Sequence, residues 1–519
     1  MPVANQNRRK TPWLWIVALI GLALVALAGV FIFHYHASIF DQGFSTADAL
    51  NLAQPPTRDK RPILSAPGQF MTLDPTGRFL INSITGKPVF ITGDAASSLI
   101  VQLDNSDAEL YLSDRASRGF NYVWSLAADN YYQANAPKNY YGDSPFDGPD
   151  FTHEDPRYWA HVDYILQRAA VHGITIALSP AFVGVQLPGG YLASYQNTPE
   201  SVLYAYGEFL GRRYRNLPNI IWAIGGDADP EMGILPQLTA LASGIRSEDK
   251  VHLMVAEGKG QHSALETFGA VPWLDLNWLY FHETNIPGGA AANYFRSPWL
   301  PAFLGEAGYE NTTSLSGLQV REQGYWGILS GAYLGNGGFG NSPLWYFRAG
   351  PGALPNDPTW QSQLGSAGSI CQMYLGRLFR SREHWKLVPD AGHSVLIGGY
   401  DSRSLLSSIG ESIRSLVRGK PYRLGSASSV AARTSDGQTI IAYVPNGAAA
   451  TITIAMSAVV DPTSQAKSWW FNPRDGSSRL IGDFATHGTR QFTPPDRDDW
   501  VLVIDSLSAN LPAPGSTNL

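Results

Sequence analysis

Two acidic residues each follow an apolar, strand-like run that stops at glycine. Asp227 comes after residues 219–226, and Glu306 comes after residues 301–305. Cleavage of a glycosidic bond needs two carboxyl groups, one acting as an acid and the other as a base or nucleophile. Two acids delivered by different strands onto one rim therefore predict this chemistry, with Asp227 and Glu306 as the catalytic pair.

Each acid also has an ordinary structural interpretation. Asp227 follows Gly225 and Gly226, and it could cap the next helix or pair with an arginine. Asp229 precedes Pro230, which is typical of a helix cap. Glu306 could form a buried salt bridge, because a glutamate at the end of so apolar a strand is partly desolvated. Glu310 competes for the catalytic role, but it lies further into the loop, and we expect it to support the site.

His282 and Glu283 follow another strand-like segment and could position a substrate hydroxyl or orient Glu306. A lone histidine is more often structural, so this assignment stays open. The further candidates for substrate binding are Asp94, Trp124, Asn130, Tyr309, Glu310 and Trp345.

Several other chemistries find no support. The chain has no His-Glu-x-x-His motif and no Gly-x-Ser-x-Gly motif, which argues against a zinc protease and a serine esterase. Residues 335–340 match a dinucleotide fingerprint but run into Asn341-Ser342-Pro343, not a helix, so we interpret them as a loop. A single cysteine, Cys371, excludes an internal disulfide. We predict no metal and no cofactor, and a net charge of −6 argues against nucleic acid.

In the part of the sequence that contains these two acids, strand-like segments alternate with helix-like segments. Seven or eight parallel-type strands separated by helices favour a (β/α)8 barrel, in which functional residues lie at the C-terminal strand ends. A doubly wound sheet would alternate too, but usually with fewer strands. The predicted strands cover 89–94, 120–126, 174–178, 219–224, 251–256, 274–281 and 302–304, with a weak eighth at 331–334.

After about residue 425 the pattern changes to short strands joined by Asp436-Gly437 and Asn446-Gly447, which are preferred hairpin turns. This predicts a small antiparallel β-sandwich. The expected organisation is a catalytic domain at 67–425, the sandwich at 426–507 and a tail at 508–519.

The N-terminus predicts export. A basic segment at 1–11 precedes an uncharged run at 12–33, about the ~20 residues that span a bilayer. The flanking positive charge favours a signal anchor in a bacterial inner membrane, with the rest of the chain in the periplasm or outside. Secretion after signal-peptide cleavage is the alternative. Residues 34–66 form the expected linker.

The catalytic region resembles the apiosidase-like glycoside hydrolases (glycoside hydrolase family 140) over about residues 70–390. The segments that carry the resemblance are 77–80, 86–90, 93–99, 212–214, 218–227, 273–277, Glu306 with 309–310, 325–332 and 385–390. The C-terminal part resembles the collagen-binding domain that commonly follows this catalytic module, at 436–445, 470–476 and 492–502.

The resemblance implies a (β/α)8 barrel in which Asp227 is the general acid/base and Glu306 the nucleophile, with a retaining outcome. Two segments depart from the family pattern: Ala95-Ala96-Ser97 replaces Thr-Ala-Trp, and residues 279–283 replace a Gln-Ser-Gly-His-like ending. We therefore expect a glycoside hydrolase acting on an extracellular or cell-envelope polysaccharide. The alternative is a non-catalytic glycan-binding or envelope scaffold protein on the same barrel.

Overall fold

The computed structural model describes residues 68–131, 133–184, 190–311, 315–348, 358–400, 428–446 and 451–516. Within these ranges no helix is both long and apolar enough to cross a membrane. The predicted transmembrane helix at 12–33, its basic flank and the linker to residue 66 lie outside the described residues.

After a short hairpin, the chain builds a nearly closed, barrel-like sheet of nine strands. Eight of them pair in parallel in chain order, and β8 joins β9 in antiparallel fashion. The hairpin consists of β1 (Thr72–Leu73) and β2 (Leu80–Ile81), and the sheet consists of β3 (Ile91–Ala95), β4 (Tyr122–Leu126), β5 (Thr175–Ser179), β6 (Ile220–Ala228), β7 (Leu253–Gly258), β8 (His262–Ser263), β9 (Asn277–Tyr280), β10 (Ala302–Glu306) and β11 (Gly335–Asn336).

The barrel has one seam, between β7 and β9. Here the Asp275 amide donates to the Met254 carbonyl at 2.8 Å, and the Met254 amide donates to the Asp275 carboxylate at 2.9 Å. The two strands therefore lie side by side without a regular ladder, joined by these hydrogen bonds near their N-terminal ends.

The predicted strands match those of the sheet closely, because each is an apolar run long enough to be buried on both faces. The exception is the weak eighth strand. Gly331 ends the preceding helix with φ +139°, and the strand forms later, at Gly335–Asn336.

Helices cover the outside of the sheet and connect its strands. They are α1 (Leu99–Gln102), α2 (Asn105–Ser117), α3 (Pro156–Val171), α4 (Leu192–Asn197), α5 (Glu200–Tyr214), α6 (Leu235–Glu248), α7 (Ala264–Phe268), α8 (Ile286–Tyr294), α9 (Gly317–Ser330), α10 (Ser342–Tyr346), α11 (Trp360–Gln363) and α12 (Ala367–Arg380). Short 3-10 turns occupy Pro230–Met232, Glu283–Asn285, His384–Lys386, Met456–Ala458 and Leu507–Ala509.

The C-terminal module consists of two antiparallel sheets. One has the order β12-β14-β15-β20-β17-β18 and the other the order β13-β16-β19. Their strands are β12 (Leu387–Pro389), β13 (Leu396–Gly398), β14 (Val430–Thr434), β15 (Thr439–Val444), β16 (Ile452–Ala455), β17 (Gln465–Phe471), β18 (Ser478–Ala485), β19 (Thr489–Phe492) and β20 (Trp500–Ser506). The larger sheet thus includes β12, which precedes residue 425 in the sequence.

Alternate residues of the larger sheet serve two cores, as the two-residue period of a strand requires. On β15, Ile440 and Ala442 pack against the smaller sheet, whereas Ile441 and Tyr443 pack into the core of the barrel unit. The barrel and the C-terminal module therefore share a continuous interior.

Helix α9 forms the centre of this contact. Arg321 on the helix makes a bidentate pair with Asp499, at 2.6 and 2.7 Å, and Tyr443 donates to the same carboxylate at 2.9 Å. The rings of Tyr325 and Tyr443 stack with centroids 4.8 Å apart. Both partners of the ion pair are buried, so each depends on the other for compensation.

Replacing Arg321 by leucine should therefore destabilise the whole protein. The change leaves Asp499 buried without its cation, and loss of one partner of such a pair costs about 3–5 kcal/mol. Chemical denaturation of Arg321→Leu beside the wild type measures this loss. Arg212→Leu is the matched control, because its pair with Glu248 is exposed and should contribute little. Equal stability of Arg321→Leu and the wild type would contradict the proposed importance of the interface.

Candidate active site

Three carboxyl groups meet at the C-terminal rim of the barrel. They belong to Asp227 on β6, Glu257 on β7 and Glu306 on β10. Glu306 and Glu257 are 5% and 1% exposed, and Asp227 is partly exposed. Among the described residues, no lysine or arginine forms an ion pair with any of the three. Together, the three acids form what we call the carboxyl cluster.

The backbone before Asp227 is unusual. Gly225, Gly226 and Asp227 have φ values of +101°, +102° and +54°, all in the left-handed region. A side chain on Gly226 would collide with the ring of Phe182, so this close approach requires glycine. The left-handed turn interrupts the regular pairing of β6 with β7 between Gly225 and Ala228. It directs the Asp227 carboxyl toward the other two acids of the cluster.

The structural alternatives for Asp227 are not observed. The residue that caps the following 3-10 turn is Asp229, as predicted, because its carboxylate accepts from the Glu231 amide at 3.0 Å. Asp229 also pairs with Lys259 at 3.0 Å. The Asp227 carboxyl is therefore available to interact with Glu257 and Glu306.

Glu306 is held by close backbone packing and by tyrosine. A side chain on Gly305 would overlap the indole of Trp278, and one on Gly338 would lie 2.6 Å from the Glu306 Cα atom. The Tyr309 hydroxyl donates to Glu306 Oε1 at 2.5 Å. The ring of Tyr309 packs directly on Gly340. The glycine-rich segment 335–340 thus packs tightly around Glu306. This packing agrees with the rejection of the segment as a dinucleotide-binding motif.

The pKa values of Asp227 and Glu257 are raised because the site is largely shielded from water and no lysine or arginine among the described residues pairs with them. Burial, reinforced by the negative charge of Glu306, raises the pKa of Asp227 to about 8, while a hydrogen bond from Tyr280 acts in the opposite direction. Burial and the charges of Glu306 and Asp227 raise the pKa of Glu257 well above its ordinary value. At neutral pH Asp227 therefore carries a proton, which is the state required of a general acid.

His282 and Glu283 lie next to the cluster. The imidazole of His282 packs on the ring of Tyr280 with centroids 5.2 Å apart. Burial lowers the pKa of His282, and the charge of Glu306 opposes this shift. Glu283 has φ +45°, and its amide donates to Gln323 Oε1 at 3.3 Å. The same Gln323 oxygen accepts from the Gly308 amide at 2.8 Å, so helix α9 ties both rim loops together.

The predicted aromatic residues lie beside the acids. The Trp124 ring contacts Trp278 and Trp345, with centroids 5.7 and 6.4 Å apart. Trp345 also contacts Phe182, the residue that packs on Gly226. These rings form an apolar layer against both acid-bearing turns. Asn130 is partly buried, and its amide oxygen has no hydrogen-bond partner among the described residues.

Asp94 and Glu310 are placed apart from the cluster. Asp94 is 0% exposed, and its carboxylate accepts from Arg115 at 3.2 Å and from Tyr111 at 2.8 Å. Glu310 accepts from the Gly368 amide and from Asn341, both at 3.1 Å. Both side chains thus tie the sheet to the surrounding helices, and Glu310 supports the loop after Glu306, as expected for it.

Sequence reasoning missed Glu257 and Tyr280. Glu257 follows the apolar run 253–256 and precedes Gly258, a pattern close to that of the two predicted acids. The signal was present at the fifth parallel strand. Tyr280 carried no such signal, because a tyrosine that ends a strand is ordinary in a core. Within the described residues, no group of three or more His, Cys, Asp or Glu side chains has a geometry that could hold a metal ion.

Comparisons with known proteins identify the family of each part of the chain. The family model "Apiosidase-like, catalytic domain" matches residues 74–386, and "Putative collagen-binding domain of a collagenase" matches residues 414–505. No curated protein sequence matches the chain.

Solved structures share the fold over nearly the whole chain. One, described as a glycoside hydrolase, is 24% identical, with 86% of this chain and 99% of that chain covered and a TM-score of 0.68. A glycoside hydrolase family 5 protein from Bacteroides vulgatus ATCC 8482 is 25% identical, with 87% and 96% covered and a TM-score of 0.70. With the family model matching more than half of its length, the chain belongs to the apiosidase-like catalytic-domain family and is a glycoside hydrolase.

Proposed function

We propose that this glycoside hydrolase cleaves a polysaccharide of the cell envelope or the extracellular space with retention of anomeric configuration. Asp227 is the general acid/base and Glu306 the nucleophile. The observation that carries the proposal is the convergence of Asp227 and Glu306 from two strand ends, where burial of the site and the charge of Glu306 keep a proton on Asp227. The barrel, which we interpret as a (β/α)8 barrel, supplies both acids from strand ends on one rim.

The coupling suits both halves of a double displacement. Asp227 first donates its proton to the leaving oxygen while Glu306 attacks the anomeric carbon and forms an ester. The ester is neutral, so the negative charge that, together with burial, raised the pKa of Asp227 disappears at this moment. Asp227, left as a carboxylate, then accepts a proton from the water that attacks the anomeric carbon, and Glu306 leaves the ester as a carboxylate.

The substrate and its location rest on other observations. Of the three indoles beside the acids, Trp124 and Trp278 are 1% and 0% exposed, so Trp345, at 7%, is the ring of this layer with surface to offer a sugar. The hydrophobic run at 12–33 supports an inner-membrane anchor with the barrel in the periplasm, or secretion after cleavage. Extracellular or envelope polysaccharides are the substrates that a chain so placed would meet.

Substitution of the two acids tests the proposal. On a panel of bacterial and plant polysaccharides, Glu306→Gln should abolish turnover, and Asp227→Asn should reduce it roughly 10²–10⁴-fold. Asp229→Asn, two residues from the acid, is the matched control and should retain turnover. Reducing-sugar release measures all three. Turnover by Glu306→Gln at the wild-type rate would exclude Glu306 as nucleophile, whereas glycan binding without hydrolysis by the wild type would favour the scaffold alternative.

The dependence of kcat/KM on pH should report the proton on Asp227. The acid is active only when protonated, and its raised pKa lies at about 8. The rate should therefore fall as the pH rises through about 8, since kcat/KM follows the free enzyme. Initial rates in overlapping buffers measure the profile. A rate that is still constant at about pH 10 would show that no such proton is needed.

The stability of the folded protein should also depend on pH, in the direction set by the raised pKa of Asp227. The folded protein keeps a proton on Asp227 that the unfolded chain loses near its ordinary pKa of 3.8, so rising pH weakens the fold between these values. Asp227→Asn removes this pH dependence. The melting temperature of Asp227→Asn minus that of the wild type should therefore increase from about pH 5 to about pH 9.

Asp229→Asn is again the control for this measurement. The pKa of Asp229 is lowered by the Glu231 amide and by Lys259, so its carboxylate is ionised throughout that interval. Its effect on the melting temperature should be the same at both pH values. A difference between Asp227→Asn and the wild type that does not grow with pH would contradict a raised pKa at Asp227.

A further inference from the structure

We propose that Glu257 is a positioning residue that retains its proton at neutral pH and donates it in a hydrogen bond to the Glu306 carboxylate. The effect on turnover rests on the proposed function, whereas the protonation itself does not.

The position of Glu257 is fixed by the strand that precedes it. It is paired with Gly225 in the register of β6 and β7, and a side chain on Gly225 would lie 2.5 Å from the Glu257 carbonyl oxygen. Its side chain is 1% exposed and close enough to Glu306 and Asp227 to feel the negative charge of each. This placement leaves it little freedom to turn toward solvent.

A hydrogen bond between two carboxyl groups requires a proton on one of them. Both carboxyl oxygens of Glu257 are buried and have no hydrogen-bond partner among the described residues. Glu306 Oε1 accepts from Tyr309 at 2.5 Å, whereas Glu306 Oε2 is buried and has no partner among the described residues either. Glu306 is therefore the acceptor with a free oxygen, and the proton belongs on Glu257.

The groups that surround Glu257 support the same assignment. It faces Asp227 on β6, Tyr122 on β4, and Tyr280 and Glu306 on β9 and β10. Each of these is an acid or a neutral hydroxyl. His282, the basic group near Glu306, has its pKa lowered by burial and does not supply a compensating charge at neutral pH.

The consequence is a single negative charge held by two neutral donors. Protonated Glu257 and Tyr309 together orient Glu306, and the cluster avoids a second charge beside it. An ionised Glu257 would repel Glu306 and would also make Asp227 a weaker acid in the first half-reaction, where Asp227 donates its proton. Glu257 thus acts on turnover through Glu306 without touching the substrate.

Infrared spectroscopy of the full-length protein tests the protonation without any substrate. At pH 7, the difference spectrum of wild type minus Glu257→Gln should show a lost carboxylic-acid C=O band that shifts on ¹³C-glutamate labelling. Loss of a carboxylate band instead would overturn the proposal.

Glu322→Gln is the matched control for this measurement. Glu322 is a buried glutamate on α9 whose pKa burial raises to about 8, so its acid band also contributes at pH 7. In labelled Glu322→Gln a glutamic-acid band should persist, and its absence would overturn the proposal even if Glu257→Gln failed to fold.

Kinetics then test the positioning role. Glu257→Gln keeps a neutral donor and should retain kcat and the pH profile within about threefold. Glu257→Ala loses the donor and should lower kcat roughly 10–100-fold with little change in KM, as expected for a hydrogen bond to a charged group. Loss of turnover in Glu257→Gln equal to that in Glu306→Gln would show that Glu257 ionises and is catalytic. An inactive wild type would count against the proposed function alone, because the infrared result stands without it.

Discussion

The convergence of three carboxyl groups, two of them buried, without a cation is the constraint on which the rim of this barrel depends. Full ionisation of Asp227, Glu257 and Glu306 would place three like charges in an environment that excludes water, so protons must remain bound. The strand ends and the neighbouring tyrosines decide which oxygens hold them. One ionised acceptor and one protonated acid are the two states that acid-assisted nucleophilic displacement needs.

The remaining structure serves to hold these acids close together against their repulsion. Glycines at 225, 226, 305 and 338 allow backbone and rings to approach more closely than any side chain would permit. The indoles of Trp124 and Trp278 form the apolar layer beside them. Helix α9 joins two rim loops through Gln323 and anchors the C-terminal module through Arg321. The module is therefore part of the framework that fixes the barrel's rim.

Much of this was predictable from sequence because buried parallel strands are long apolar runs, and strand order follows chain order in a barrel. The two predicted acids and the predicted cap at Asp229 follow from local patterns. Glu257 follows the same pattern but was not predicted, because the local sequence does not show that three strand ends converge. The partners of Asp94 and Glu310 are equally non-local: Arg115 and Gly368 reach them across the helix layer. The place of β12 in the larger C-terminal sheet depends on its pairing with β14 across more than 40 residues.

The most direct test of the account is the configuration of the sugar at the instant of release. Proton NMR of a hydrolysed glycoside, recorded before mutarotation, distinguishes the two anomers. The account predicts that the first anomer has the configuration of the substrate, because a buried Glu306 beside Asp227 attacks the anomeric carbon itself. Release of the opposite anomer would mean that water attacks directly, and it would contradict the assignment of Glu306 as nucleophile.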